Sequence, residues 1–68
     1  MSKSIRKILR KIKGISDYDI WWECMNIPLM NIPQEDLEWA AQQDQFNSYT
    51  SKNVFLAEIE RRKNNAGL

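Results

Sequence analysis

Few residues of this chain have the side-chain chemistry that catalysis or metal binding requires. The 68 residues include no histidine and one cysteine, Cys24, so the commonest general base and metal ligand is missing. A lone cysteine can form neither an intrachain disulfide nor a cysteine zinc site. Cys24 falls on the apolar side of a predicted helix, which favours a buried and unreactive thiol. The sequence therefore predicts no catalytic residue and no enzyme activity.

Three neighbouring carboxylates, Glu35, Asp36 and Glu38, have the right chemistry to bind Mg²⁺. They follow Pro33 at the predicted start of a helix, where the helix dipole favours negative charge without any ligand. No glycine-rich phosphate-binding loop accompanies them. We therefore expect neither a metal nor another cofactor.

Tryptophan is the side chain that points most directly to binding. Three tryptophans are many for 68 residues, and tryptophan is enriched at the centres of protein interfaces as well as in cores. Trp21 and Trp22 are separated by about 100° on a helix and cannot both face one neighbour. The predicted protein-binding residues combine aromatic and acidic side chains: Trp21, Trp22, Trp39, Phe46, Glu35 and Glu38. Trp22 and Trp39 are the expected direct contacts.

Charge is strongly segregated, although the net charge is only +1. Residues 1–16 carry six basic residues and no acidic one, whereas residues 17–47 carry seven acidic residues and no basic one. The basic ends can pack beside the acidic middle, within one molecule or between two, or one block can form an interaction surface. The residues that could contact nucleic-acid phosphates are Lys3, Arg6, Lys7, Arg10, Lys11, Arg61 and Arg62.

Helical periodicity and the lack of a strand pattern predict an all-α fold. We expect one compact domain over residues 1–68, with three to four short helices and frayed tails at residues 1–3 and 64–68. The first helix is predicted over residues 4–13 and ends before Gly14. It is indicated by apolar residues that recur on one helical face: Ile5, Ile8, Leu9 and Ile12.

The second helix is predicted to begin after Ser16, with Asp19 in the acidic position of a capping box, and to end before Pro28. Its apolar residues cover more than half of its circumference, which indicates a helix that is central or partly covered by something else. These residues are Tyr18, Ile20, Trp21, Trp22, Cys24 and Met25.

The third helix is predicted from Pro33 to about Gln45, with apolar residues on two faces, one of which needs cover from the tails, a second copy or a partner. The fourth helix is predicted from Val54 to Lys63, after a polar turn, with Ser51 or Asn53 as its N-cap. The predicted core comprises Ile8, Leu9, Ile12, Ile20, Leu37, Leu56 and Ile59.

These patterns favour a small, non-enzymatic protein-binding module, because a contiguous apolar patch is rarely exposed without a use. An adaptor, an assembly factor or an inhibitor fits this size and composition, including those carried by bacteriophages, and so does a homodimer that sets basic segments against acidic ones. The alternative is nucleic-acid binding through phosphate contacts of the basic N-terminal helix.

Association with a membrane surface ranks last, because the apolar face of the first helix is needed for the core of so small a domain. No apolar run is long enough to span a membrane, and no apolar segment follows the basic start as in a signal peptide. We therefore expect a cytoplasmic protein.

Overall fold

The protein is all-α, as the sequence predicts. The structure, a computed structural model, describes residues 4–66, which contain no strand. The predicted tails at residues 1–3 and 67–68 lie outside the described residues. The helices are α1 (Ile5–Leu9), α2 (Asp17–Asn26), α3 (Gln34–Ala41) and α4 (Tyr49–Ala66), with a 3-10 helix over Leu29–Asn31 between α2 and α3.

Helix α1 is shorter than predicted and ends at Leu9 instead of Lys13. A turn follows and includes Gly14, whose φ of +86° lies in the region that favours glycine. Basic side chains recur three and four positions apart in this stretch, and like charges at that spacing destabilise a helix. This repulsion gives a physical reason for the early end.

The start of α1 is attached to α3 by the carboxylate of Asp36, which is completely buried. Its Oδ1 accepts a hydrogen bond from Ser4 Oγ at 2.8 Å, and the backbone N–H of Ile5 donates to Oδ2. The N–H of Arg6 donates to Oδ1 at 3.4 Å. The sequence assigns Asp36 only to the dipole of its own helix, whereas the structure shows it satisfying free N–H groups of a neighbouring helix.

Helix α2 has the predicted ends. The Oγ of Ser16 accepts from the backbone N–H of Asp19 at 3.2 Å, and the Ser16 N–H donates to Asp19 Oδ2 at 3.2 Å, which completes the capping box. The helix ends at Asn26, before Pro28 as expected.

The predicted ends of α3 and α4 need correction. Helix α3 ends at Ala41 and not near Gln45, and α4 begins at Tyr49, ahead of the predicted Val54. The early start of α4 is explained by the preceding turn. There the Ser51 N–H donates to Ser48 Oγ at 3.1 Å, and the Ser48 N–H donates to Ser51 Oγ at 2.8 Å. Ser48 therefore caps α4 in place of the predicted Ser51 or Asn53, and the helix begins at Tyr49, more than one turn before Val54. The helix also continues through residues 64–66, where a frayed tail was expected.

The core lies where α2, α3 and α4 meet the connector that contains the 3-10 helix. Its buried apolar residues are Ile20, Trp21, Cys24, Ile32, Leu37, Ala40, Ala41 and Phe55. Burial of Ile20 and Leu37 was predicted and is confirmed, and the predicted core residues Leu9 and Ile59 are half-buried.

The predicted burial of Ile8, Ile12 and Leu56 is wrong, since these side chains are 49%, 54% and 45% exposed. Ile12 lies beyond the end of α1, so it does not continue the helical stripe on which the prediction depends. In α4 the neighbouring Phe55 faces the core and Leu56 does not.

The domain is flat, with extents of 41 × 30 × 16 Å. With helix axes packed about 8–10 Å apart, the short dimension has room for two layers of helices at most. Each helix therefore keeps one side toward solvent, and apolar residues on that side stay uncovered.

Candidate functional site

Trp21 belongs to the core and not to the surface. Its side chain is buried, and its Nε1–H donates to Asn47 Oδ1 at 2.8 Å. The amide of Asn47 in turn donates to the carbonyl oxygen of Ala40 at 2.7 Å. Trp21 was among the predicted binding residues, but it instead joins α2 to α3 and to the turn before α4.

Trp39 and Phe46 are half-buried and pack against the core. The guanidinium carbon of Arg6 lies 5.3 Å from the centroid of the Trp39 ring, a cation–π contact. Phe46 meets Tyr18 edge-to-face with centroids 5.4 Å apart. The second face of α3, expected to need a tail, a second copy or a partner, is thus partly covered by side chains of α1 and α2.

Helix α2 presents a second apolar face to solvent. Tyr18, Trp22 and Met25, spaced i, i+4 and i+7, are 49%, 50% and 40% exposed. The rings of Tyr18 and Trp22 are stacked, with centroids 6.4 Å apart and an interplanar angle of 18°. The wide apolar surface predicted for α2 is confirmed, and Trp22 is the tryptophan that it exposes.

A groove of about 400 Å³ separates this face of α2 from the end of α1 and the turn that follows. Its apolar lining comes from Leu9, Ile12 and Ile15 on one side and from Trp22 on the other. We call the groove together with Tyr18, Trp22 and Met25 the α1/α2 surface. It is an exposed apolar surface that contains a half-exposed tryptophan, the composition expected at the centre of a protein interface.

Charges of both signs line the same groove. Lys13 comes from the turn, and Asp19 and Glu23 come from α2. Asp19 is occupied in the capping box with Ser16. Within residues 4–66, neither Lys13 nor Glu23 has an oppositely charged group within 4.0 Å. Both charges remain available to a bound molecule.

The basic N-terminal residues pair with the acidic middle of the same chain. Lys7 lies 3.9 Å from Glu35, and Arg10 lies 2.9 Å from Asp17. Arg6 Nε lies 4.0 Å from the buried carboxylate described above. Lys11 has no carboxylate within 4.0 Å in the described part of the chain, and Lys3 lies outside it.

Arg61 and Arg62 form a separate basic group near the end of α4. Both donate to Glu58, at distances of 2.7–2.9 Å, and these bonds lower the pKa of Glu58 to about 2. Arg62 also donates to the carbonyl oxygens of Leu29 and Ile32 at 2.8 and 2.7 Å. Arg62 thereby holds α4 to the segment that contains the 3-10 helix, whereas Arg61 is engaged within α4.

Glu35 and Glu38, predicted to flank the binding tryptophans, lie on exposed positions of α3. Glu35 faces Lys7, and Glu38 Oε2 accepts a hydrogen bond from Gln34 at 3.1 Å. Both line a groove beside the 3-10 helix, together with Arg62. Neither lines the groove that contains Trp22.

Cys24 is buried as predicted, and burial raises the pKa of its thiol to about 11. The thiol is therefore protonated at neutral pH and is a poor nucleophile. Over residues 4–66, no three histidine, cysteine or carboxylate side chains converge in a way that could hold a metal ion. No helix in that range has both the length and the apolarity to cross a membrane.

Comparison with known proteins adds no relative. No protein-family model matches the chain, and neither a curated protein nor a solved structure matches it at a significant level. Function is therefore inferred from the geometry of the α1/α2 surface itself.

Of the α1/α2 surface, only Trp22 was among the predicted binding residues, although Tyr18 and Met25 were assigned to the apolar surface of α2. Tyr18 and Met25 share a helical face with Trp22, a signal that was readable from their spacing alone. Ile12 and Ile15 gave no comparable signal, because their exposure depends on where α1 ends and on the turn that follows.

Proposed function

We propose that the protein is a small, non-catalytic protein-binding module that associates through its α1/α2 surface. The principal support is the exposure of Trp22, whose side chain is 50% exposed beside an open groove with an apolar lining. Large aromatic side chains in desolvated pockets commonly supply most of the binding free energy at interfaces. The flat shape of the domain agrees with this role, because a domain 16 Å thick leaves one side of each described helix toward solvent.

Nucleic-acid binding has less support from the geometry. Phosphate contacts require basic side chains that are free to pair with an incoming anion. Arg6, Lys7 and Arg10 instead face carboxylates of the same chain, and Arg61 and Arg62 are engaged with Glu58.

The proposal can be tested by capture from a lysate of the source cell with the immobilised chain, with nuclease added in a parallel arm. The informative variant is Trp22→Ala, and the matched control is Leu56→Ala. Leu56 is similarly exposed, at 45%, but lines a different groove between α3 and α4. We expect a nuclease-resistant protein that the wild type and the Leu56→Ala variant retain and the Trp22→Ala variant loses.

Two results would contradict the proposal. Capture that disappears on nuclease treatment would identify a nucleic-acid partner. Equal capture by wild type and Trp22→Ala would place the binding surface elsewhere. Circular dichroism of each variant confirms that lost capture does not come from unfolding.

A further inference from the structure

We infer that the α1/α2 surface binds a second copy of this chain around a two-fold axis, with Trp22 of each copy in the groove of the other. This inference rests on the proposed function and names its partner. A two-fold interface needs one surface that is complementary to itself. The α1/α2 surface meets this requirement, since it carries both a half-exposed tryptophan and the apolar groove that this tryptophan helps to line.

The charges of the groove are complementary to themselves in the same way. The turn contributes Lys13 to one side, and α2 contributes Glu23 to the other. A two-fold rotation exchanges the two sides, so Lys13 of each copy faces Glu23 of the other. Neither residue is satisfied within the described part of its own chain, which leaves both for this pairing. A partner with one sign of charge would meet repulsion on one side of the groove.

The domain has enough accessible surface for one broad face to supply half of a small dimer interface. A stable interface of standard size takes roughly 800 Å² from each partner. The domain has 4959 Å² of accessible surface in all, and its flat shape places a large part of this on two broad faces. The α1/α2 surface adds the exposed Ile12, Tyr18 and Met25 to the aromatic contact of Trp22.

Charge exchange between the two positions tests this arrangement. The variants are Lys13→Glu and Glu23→Lys, each alone, mixed with one another, and combined in one chain. The control is Glu60→Lys, an exposed position on α4 outside the groove. Sedimentation velocity from micromolar to sub-millimolar concentration measures the approach to twice the 8.1 kDa chain mass, and native mass spectrometry with one variant isotope-labelled detects mixed dimers.

We expect the wild type and Glu60→Lys to dimerise alike. Each single variant should raise the dissociation constant by roughly tenfold or more, because two attractive contacts become repulsive. The mixture should form the heterodimer in preference to either homodimer, and the double variant should recover near wild-type dimerisation. A chain that stays monomeric throughout, or single variants that dimerise as the wild type does, would overturn the inference.

These failures are distinguishable from failure of the proposed function. A monomeric chain whose capture of another protein still depends on Trp22 would retain the α1/α2 surface as a binding site and reject only the second copy as its occupant. A chain that shows neither dimerisation nor Trp22-dependent capture would reject both.

Discussion

Two regions of the domain, the α3–α4 pair and the N-terminal segment (residues 4–15), are held in place by different kinds of interaction. Between α3 and α4 the contact is apolar, and Leu37, Ala40 and Phe55 are almost completely buried there. The N-terminal segment has no buried apolar residue in its helix. It is attached instead by hydrogen bonds to Asp36 and by ion pairs.

This difference has consequences for stability and for function. The apolar side chains buried between α3 and α4 contribute to the global stability of the domain, so removing them favours complete unfolding. Exposed ion pairs contribute only about 0–1 kcal/mol each, and a region with little apolar burial can open locally. The N-terminal segment, which forms one wall of the groove, is therefore expected to detach more easily than α3 or α4.

The largest expected effect on stability comes from truncating a buried side chain in the apolar contact between α3 and α4. Phe55→Ala should cost ~3–5 kcal/mol, because it removes a fully buried aromatic ring from the contact between α3 and α4. That is a large share of the roughly 5–15 kcal/mol typical of small domains. Urea denaturation followed by far-ultraviolet circular dichroism measures it. Leu56→Ala, at the adjacent exposed position, should cost less than about 1 kcal/mol. Equal losses at the two positions would show that α4 faces the core differently.

A smaller and more local effect is expected at the polar attachment. Asp36→Asn keeps the shape but turns an N–H₂ group toward buried donors, which should cost about 1–3 kcal/mol. Hydrogen exchange should accelerate at the amides of Ile5 and Arg6, while amides within α4 keep their protection. Glu38→Gln is the control, because Glu38 is exposed on the same helix and its carboxylate accepts a hydrogen bond from Gln34 and not from the N-terminal segment. Uniform loss of protection across the domain would mean that the N-terminal segment unfolds only with the rest.

The smallest effect on stability is expected from lowering the pH, which protonates Glu58 and weakens its hydrogen bonds with Arg61 and Arg62 on α4. The pKa of Glu58 is lowered from 4.5 to about 2, so its stabilisation is present above pH 4.5 and is lost as the pH falls toward 2. Urea midpoints of the wild type and Glu58→Gln should therefore differ above pH 4.5 and converge toward pH 2. A difference that stays constant over this range would mean that the carboxylate does not pair with Arg61 and Arg62 in solution.

The elements that were predicted correctly are those with local determinants. The capping box of Ser16 and Asp19 and the stop before Pro28 depend only on nearby residues, so the boundaries of α2 were readable. The start of α4 was missed because serine is a common turn residue, and nothing in sequence indicates that Ser48 and Ser51 bond each other.

Tertiary partners explain the remaining differences. Asp36 looked like an ordinary residue of a helix N-terminus, and its bonds to a segment about thirty positions away have no sequence signal. The three tryptophans were recognised as important, but one sequence cannot tell a buried indole from an exposed one. Their separation into Trp21 in the core, Trp39 under Arg6 and Trp22 at the surface follows from packing alone.

Because the three tryptophans lie in different environments, their intrinsic fluorescence can report on different events in the chain. Trp22 is half-exposed, so we expect its emission to be red-shifted and its indole to be the most accessible of the three to acrylamide quenching. Trp21 is buried and donates a hydrogen bond through Nε1, so we expect it to emit further to the blue and to respond only when the domain unfolds. Trp39 lies under the guanidinium group of Arg6, so we expect its quantum yield to change when the N-terminal segment moves away. Single-tryptophan variants therefore resolve association, global unfolding and local detachment by fluorescence, without an added dye.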